Sequence, residues 1–268
     1  MIRLLILFVF AIGLADIAMA AGEGDAKRAA ALADIRAMVE GAAGDTALVV
    51  AVTDRDRTLM VATHGYADID RRIAATHDTR FAIGSISKSF AAVALMQMAD
   101  EGTFDPDAPI ARYVPEFRPR SSHAPITGHA LMSHSSGLPN YLAYAASMRF
   151  LVTALQDFEP RYAPGDHFWY SNSGYQLLGY AAEAIDRRPF PLVLQRRILD
   201  PLGMAATTPQ IDERLRGRMA NSYERTPDGR LAAAPWFDHV AADGAIVSTA
   251  PDMTAYARML LARGKASK

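Results

Sequence analysis

Apolar positions recur at near-helical spacing over residues 26–42, AKRAAALADIRAMVEGA, where Ala30, Leu32, Ile35, Met38 and Val39 define one face ahead of a GAAGD break. An amphipathic first helix is predicted there. Two β-branched, apolar runs follow, ALVVAVT (47–53) and TLMVATH (58–64), separated by the polar DRDR. That pattern predicts an antiparallel hairpin whose first strand is buried on both faces. Residues 85–100 return to helical spacing, with Ile86, Phe90, Val93, Ala94, Met96 and Met98 on the apolar side and a stop at Gly102. All fifteen prolines lie at residue 106 or later and break 106–240 into loops and short helices, predicted at 127–134, 142–156, 173–187 and 190–199. The last stretch, GAIVSTAPDMTAYARMLLARG, gives a short apolar run and then a helix opening at Thr249-Ala250-Pro251 and closing near Gly264. The expected organisation is an α/β part built from 21–105 and 241–268, with a helical part, 106–240, inserted between them.

Residues 1–20, MIRLLILFVFAIGLADIAMA, place Arg3 before an apolar run from Leu4 to Ala15 and end in Ala18-Met19-Ala20, the small-x-small pattern of a signal-peptidase site. The run is short for a membrane span, which weighs against the alternative of an uncleaved anchor. An exported protein starting near Ala21 is expected, periplasmic or secreted, with no stable membrane anchor after cleavage. The 268 residues are 50% hydrophobic and 21% charged, an ordinary globular composition, and a net charge of −1 points to no nucleic-acid partner. Without cysteine the chain has no disulfides, no thiol nucleophile and no thiolate metal ligand. Its seven histidines form no H-E-x-x-H and no i, i+4 helical pair, so a metal site is not expected.

Charge usage singles out one position. The chain has 24 arginines but only four lysines, Lys27, Lys88, Lys265 and Lys268, and Lys88 stands in FAIGSISKSF at the start of a predicted helix. Arginine is protonated at any relevant pH, whereas a desolvated lysine amine can release its proton. Ser85 lies three residues earlier, on the same helical face and within reach of that amine. Unpaired N–H groups at the helix start favour an anionic Ser85 Oγ and a developing oxyanion. A second stretch, PGDHFWYSNSGYQLLGY, sets Tyr170 and Asn172 between a Pro-Gly turn and a helix. Tyr170 can pass a proton and Asn172 can brace a lysine or hold an amide. The plainer alternative makes Phe168, Trp169 and Tyr170 packing aromatics and Asn172 a helix cap.

Taken in order, SISK (85–88), HSSGLP (134–139), YSN (170–172) and GAIVSTAPDM (244–253) resemble the serine β-lactamase and penicillin-binding-protein superfamily. The Tyr-x-Asn form is similar to the branch of class C β-lactamases, D-alanyl-D-alanine carboxypeptidases, D-aminopeptidases and esterases, and the likeness covers roughly residues 45–263. The resemblance implies an α/β (α+β) fold of the β-lactamase/transpeptidase type, an antiparallel sheet flanked by helices. It implies Ser85 as the acylated nucleophile with its own N–H as an oxyanion donor, Lys88 as proton relay, and Tyr170 as acylation base and leaving-group acid. It also implies Asn172 as a hydrogen-bond partner of Lys88 and of the substrate carbonyl. The resemblance implies no metal and no organic cofactor. HSSGLP is read as a structural marker in which Gly137 and Pro139 turn the chain.

The family's third motif, Lys-Thr-Gly or His-x-Gly on an edge strand, has no counterpart after the last predicted helix. THGY (63–66) precedes the serine, and RGKASK is no match. That strand supplies a second oxyanion donor, whose loss costs about 10²- to 10³-fold in rate. The expectation is therefore a C-terminally truncated chain that lacks the last sheet strands. The expected function is an exported serine hydrolase acting through a Ser85 acyl-enzyme on a D-Ala-D-Ala peptide, a β-lactam or a small ester. The alternatives are a noncatalytic peptidoglycan-binding or regulatory homologue and an inactive fragment.

Overall fold

The computed structural model describes residues 21–140 and 147–264, so the predicted signal segment, the start of the helix expected at 142–156 and the last four residues lie outside the described residues. Helix α1 (Ala21–Glu40) begins earlier than its pattern predicts and packs Leu32, Ile35 and Val39 onto Met60 and Ala62 of the following hairpin. Met38, expected on the same face, is 68% exposed. It stands about 100° around the helix from Val39, outside the stripe that Leu32, Ile35 and Val39 form.

The hairpin pairs β1 (Leu48–Thr53) with β2 (Thr58–His64), Leu48 opposite His64 and Val52 opposite Met60. Its DRDR turn is closed by Asp54 Oδ1, which accepts the N–H groups of Asp56 and Arg57 at 2.8 and 2.7 Å. Strand β1 is half-buried along its length rather than buried on both faces. Its pairing partner among the described strands is β2 alone, and Leu48 and Val49 line an open groove of about 260 Å³ with Phe81 and Tyr223.

Three further antiparallel pairs complete the described β structure: β3 (Tyr66–Asp68) with β4 (Ile73–Ala74), β5 (Phe81–Ala82) with β8 (Val247–Ser248), and β6 (Tyr223–Arg225) with β7 (Leu231–Ala233). The expected antiparallel sheet is thus present as two-stranded pieces. No strand follows β8 among the described residues.

Helix α2 (Ser87–Asp100) buries Phe90, Ala91, Ala94, Leu95 and Met98. Met96, predicted on that face, is 43% exposed, because the buried stripe runs through Leu95 and leaves Met96 on its flank. Helix α5 (Asn172–Asp186) packs on α2 and also carries α3 (Gly128–Met132) and α4 (Met148–Ala154). Next comes α6 (Phe190–Leu194), which runs through a π-helical turn (Gln195–Leu199) into α7 (Asp200–Leu202). Helix α8 (Ala250–Leu261) starts, as its sequence predicts, with Thr249 accepting the Asp252 N–H and Pro251 in the first turn. One apolar core joins α2, α4, α5, α6 and α8, so residues from both expected parts, such as Phe90, Leu151 and Tyr256, share it. The described residues thus combine helices with small antiparallel sheets, the α/β (α+β) class expected from the sequence.

Candidate active site

The position of Ser85 is set by the β5–β8 pair. Ile83 N–H donates to Ile246 O at 2.9 Å, and Ile246 N–H donates to Ser87 Oγ at 3.1 Å, zipping residues 81–87 to 246–248. Gly84 makes the turn into the helix with φ +53°, a conformation that costs a glycine little. Ser85 then lies in a 3₁₀ turn (Gly84–Ile86) that leads into α2, and its N–H donates to no acceptor among the described residues. A backbone N–H left free at the residue that carries Oγ is a donor of the kind that supports an oxyanion on a carbon bonded to that Oγ.

Lys88, in the first turn of α2, is 5% exposed and reaches back to Ser85, with Nζ donating to Ser85 Oγ at 3.0 Å. A second N–H from the same nitrogen goes to the backbone O of Asp243 at 2.6 Å. Tyr170, which immediately precedes the cap of α5, donates its hydroxyl to Ser85 Oγ at 2.6 Å, and its ring lies 5.0 Å from Lys88 Nζ. Ser85 Oγ therefore stands between an amine and a phenol. Each of these, once unprotonated, can take the serine proton.

Asn172 is placed differently from expectation. It is the first residue of α5, its N–H donates to Asn140 Oδ1 at 2.9 Å, and its side chain is not a partner of Lys88. The carbonyl of Asp243 occupies the bracing role instead, because the β5–β8 zip carries residues 243–246 against the start of α2. The cap of α5 is Ser171, whose Oγ accepts the Gly174 N–H at 3.0 Å and donates to Pro139 O at 2.9 Å. Phe168 and Trp169, 71% and 40% exposed, are surface neighbours of the site rather than core packing.

Two residues at the site escaped the sequence reading. Asp243 acts through its backbone, for which no side-chain pattern exists. Its buried carboxylate has His239 Nε2 at 3.2 Å, a close approach without an aligned hydrogen bond among the described residues. His134, in the marker HSSGLP, lies with its ring centroid 4.4 Å from that of Tyr170 and 5.1 Å from that of Tyr175. Burial, and then the charge of Lys88, hold its imidazole below the usual histidine range. Burial likewise pushes the Tyr175 phenol up, with Tyr170 adding to the effect. Tyr175 thus remains a neutral donor, to Met132 O at 2.9 Å.

Comparison with known proteins identifies the family and the fold. The family model described as Beta-lactamase matches residues 33–268. The protein flp of Staphylococcus aureus (strain MRSA252) is 25% identical over 184 residues, 65% of this chain and 37% of that protein. An uncharacterized protein, MT1414, of Mycobacterium tuberculosis is 27% identical over 81% of this chain and 62% of its own length. The chain thus spans between about a third and two thirds of the length of these relatives. Among solved structures, the octameric penicillin-binding protein homologue from Pyrococcus abyssi aligns with TM-score 0.76 and 26% identity, over 92% of this chain and 58% of its own. EstCE1, a hydrolase with promiscuous acyltransferase activity, aligns with TM-score 0.74 at 21% identity, over 91% of this chain and 74% of its own, a likeness of fold.

Proposed function

The chain belongs to the Beta-lactamase family of serine hydrolases, and we propose that it turns over an amide or ester through an acyl-enzyme on Ser85. One observation carries the reading: Ser85 Oγ accepts hydrogen bonds from Lys88 Nζ at 3.0 Å and from Tyr170 at 2.6 Å, next to a free Ser85 N–H. With one N–H of Lys88 committed to Asp243 O, the lone pair of an unprotonated amine is free to face Ser85 Oγ. In the first step the Ser85 Oγ–carbonyl carbon bond forms and the serine proton passes to Lys88 or Tyr170. The Ser85 N–H supports the oxyanion. The carbonyl carbon's bond to the leaving nitrogen or oxygen then breaks, and Tyr170 delivers the proton to the departing group. Water gives its proton to the same pair and attacks the ester carbon, the bond from that carbon to Ser85 Oγ breaks, and the pair returns a proton to Ser85 Oγ as the acid leaves.

The substrate class of this reading is a D-Ala-D-Ala peptide, a β-lactam or a small ester. The 26% identity to a penicillin-binding protein homologue supports it. The protein is read as exported to the periplasm or beyond, on the strength of residues 1–20. Reaction of the 268-residue chain with a fluorophosphonate or a fluorescent penicillin is expected to label Ser85 and to fail in Ser85→Ala. Label retained in Ser85→Ala would overturn the assignment. A folded chain that binds muropeptide but forms no adduct would instead support a noncatalytic peptidoglycan-binding role.

A further inference from the structure

Tyr170 is 37% exposed, so burial does not hold it against Ser85. Its neighbours on both sides are tied to one residue. Trp169 N–H donates to the backbone O of His134 at 2.6 Å, and Ser171 N–H donates to His134 Nδ1 at 3.1 Å. Between those two bonds the imidazole lies against the Tyr170 ring, centroids 4.4 Å apart and planes 32° apart. The backbone before and after Tyr170 and the plane of its ring are thus all referred to a single residue, the first through its backbone carbonyl and the other two through its imidazole.

His134 is itself well fixed. It follows α3 at φ +57°, where its N–H donates to Leu131 O at 3.2 Å and the next residue, Ser135, donates to Ala130 O at 2.8 Å. Histidine is among the few non-glycine residues enriched at positive φ. A phenylalanine would keep the ring contact and lose the acceptor for Ser171. An asparagine would keep an acceptor and tolerate the backbone.

We propose that His134 is the positioning residue of Tyr170: its ring and its Nδ1 acceptor set the phenol hydroxyl on Ser85 Oγ. The inference rests on the reading of Ser85 as nucleophile and of Tyr170 as its proton partner. The bond from Ser171 requires Nδ1 to be unprotonated. Burial and then Lys88 lower the basicity of His134 and so favour the neutral ring, and the Ser171 N–H at 3.1 Å selects the tautomer whose Nδ1 is bare.

Two measurements on the full chain test this. The first is the second-order rate of fluorophosphonate labelling at Ser85 in wild type, His134→Ala, His134→Asn, Tyr170→Phe and the His134→Ala/Tyr170→Phe double variant, with thermal melts of each. His134→Ala is expected to slow labelling about 10- to 100-fold, the scale of an ångström-level misplacement. His134→Asn should recover most of that rate. In the Tyr170→Phe background His134→Ala should add less than about threefold, since residues acting as a unit are not additive. Labelling of a folded His134→Ala at the wild-type rate, or an undiminished loss in the Tyr170→Phe background, overturns the proposal. Should His134→Ala not fold, a folded His134→Asn labelling as slowly as Tyr170→Phe also overturns it.

The second measurement needs no activity: ¹⁵N spectra of the histidine rings at pH 7. A bare, hydrogen-bonded Nδ1 on His134 together with a protected Ser171 amide is the expected result, and a protonated Nδ1 overturns the inference. If wild type takes no label at Ser85, the hydrolase reading fails, and the ring spectra still decide whether His134 holds the Tyr170 segment.

Discussion

At residue 88 an amine is held between two oxygens, Ser85 Oγ at 3.0 Å and Asp243 O at 2.6 Å, in a position that is 5% exposed. A guanidinium there would stay charged and could not accept the serine proton. Lys88→Arg is therefore expected to slow labelling at Ser85 by about 10²- to 10⁴-fold, the usual range for a lost acid–base group. A folded Lys88→Arg within tenfold of wild type would mean that the site asks only for positive charge. This residue was legible in the chain because 24 arginines made a lysine conspicuous. Asp243 was not, since it contributes a carbonyl that every residue type carries. Nor was His134 legible as a neighbour of Tyr170, because the residues that bind it, Trp169 and Ser171, do so through backbone N–H groups.

Among the elements, α5 passes so close to the 241–245 segment that a Cβ at Gly179 would stand 2.5 Å from Ala242 Cβ and 2.7 Å from Met148 Sδ. Met148 can yield, but Ala242 moves only with its backbone, which also carries Asp243. Gly179→Ala is expected to cost about 1–3 kcal/mol and to slow labelling of Ser85 as well. Urea unfolding and the labelling rate of the same preparation check both effects, and unchanged labelling would uncouple this packing from the site.

At the C-terminal end of α5, Arg197 in the π-helical turn ties two carboxylates together, donating to Asp186 at 3.0 Å and to Glu101 at 2.8 and 3.0 Å. The Arg197 hydrogen bonds hold Glu101 below its usual range. Asp186 is also lowered: burial, its largest single influence, acts to raise it, but the hydrogen bonds from Arg188 and Arg197 outweigh that. Carboxyls depressed in the folded state stabilise it above their unfolded pKa, about 4, and lose that contribution as pH falls through the folded values. Arg197→Met should therefore lower the urea midpoint at pH 7 and differ less from wild type at pH 3. An equal deficit at both pH values would assign the loss to packing alone.

Among the described residues the largest apolar core runs from α2 through α4 and α5 to α8, beside smaller clusters under the hairpin and around Val247, so the inserted helices are not a separate hydrophobic unit. Leu151, fully buried in α4, is expected to cost about 2–5 kcal/mol as Leu151→Ala. That shift should appear equally in far-UV circular dichroism and in the fluorescence of Trp169 and Trp236, and separate midpoints would contradict one shared core. The helices α2, α5 and α8 and the hairpin β1–β2 could be read from the chain because each has a strong internal period, a cap or a turn of its own. Short pairs such as β5–β8 could not, since two-residue strands have no periodicity, yet that pair sets Ser85 beside Asp243.

The same division holds for the chemistry. Local spacing along one helix suffices to place a serine within reach of a lysine, and motif order suffices to suggest the family. Joining Ser85 to Tyr170, 85 residues away, and replacing Asn172 by the Asp243 carbonyl as the brace of Lys88 required packing, because contacts between distant segments depend on how separate elements share a core, which neighbouring residues do not encode.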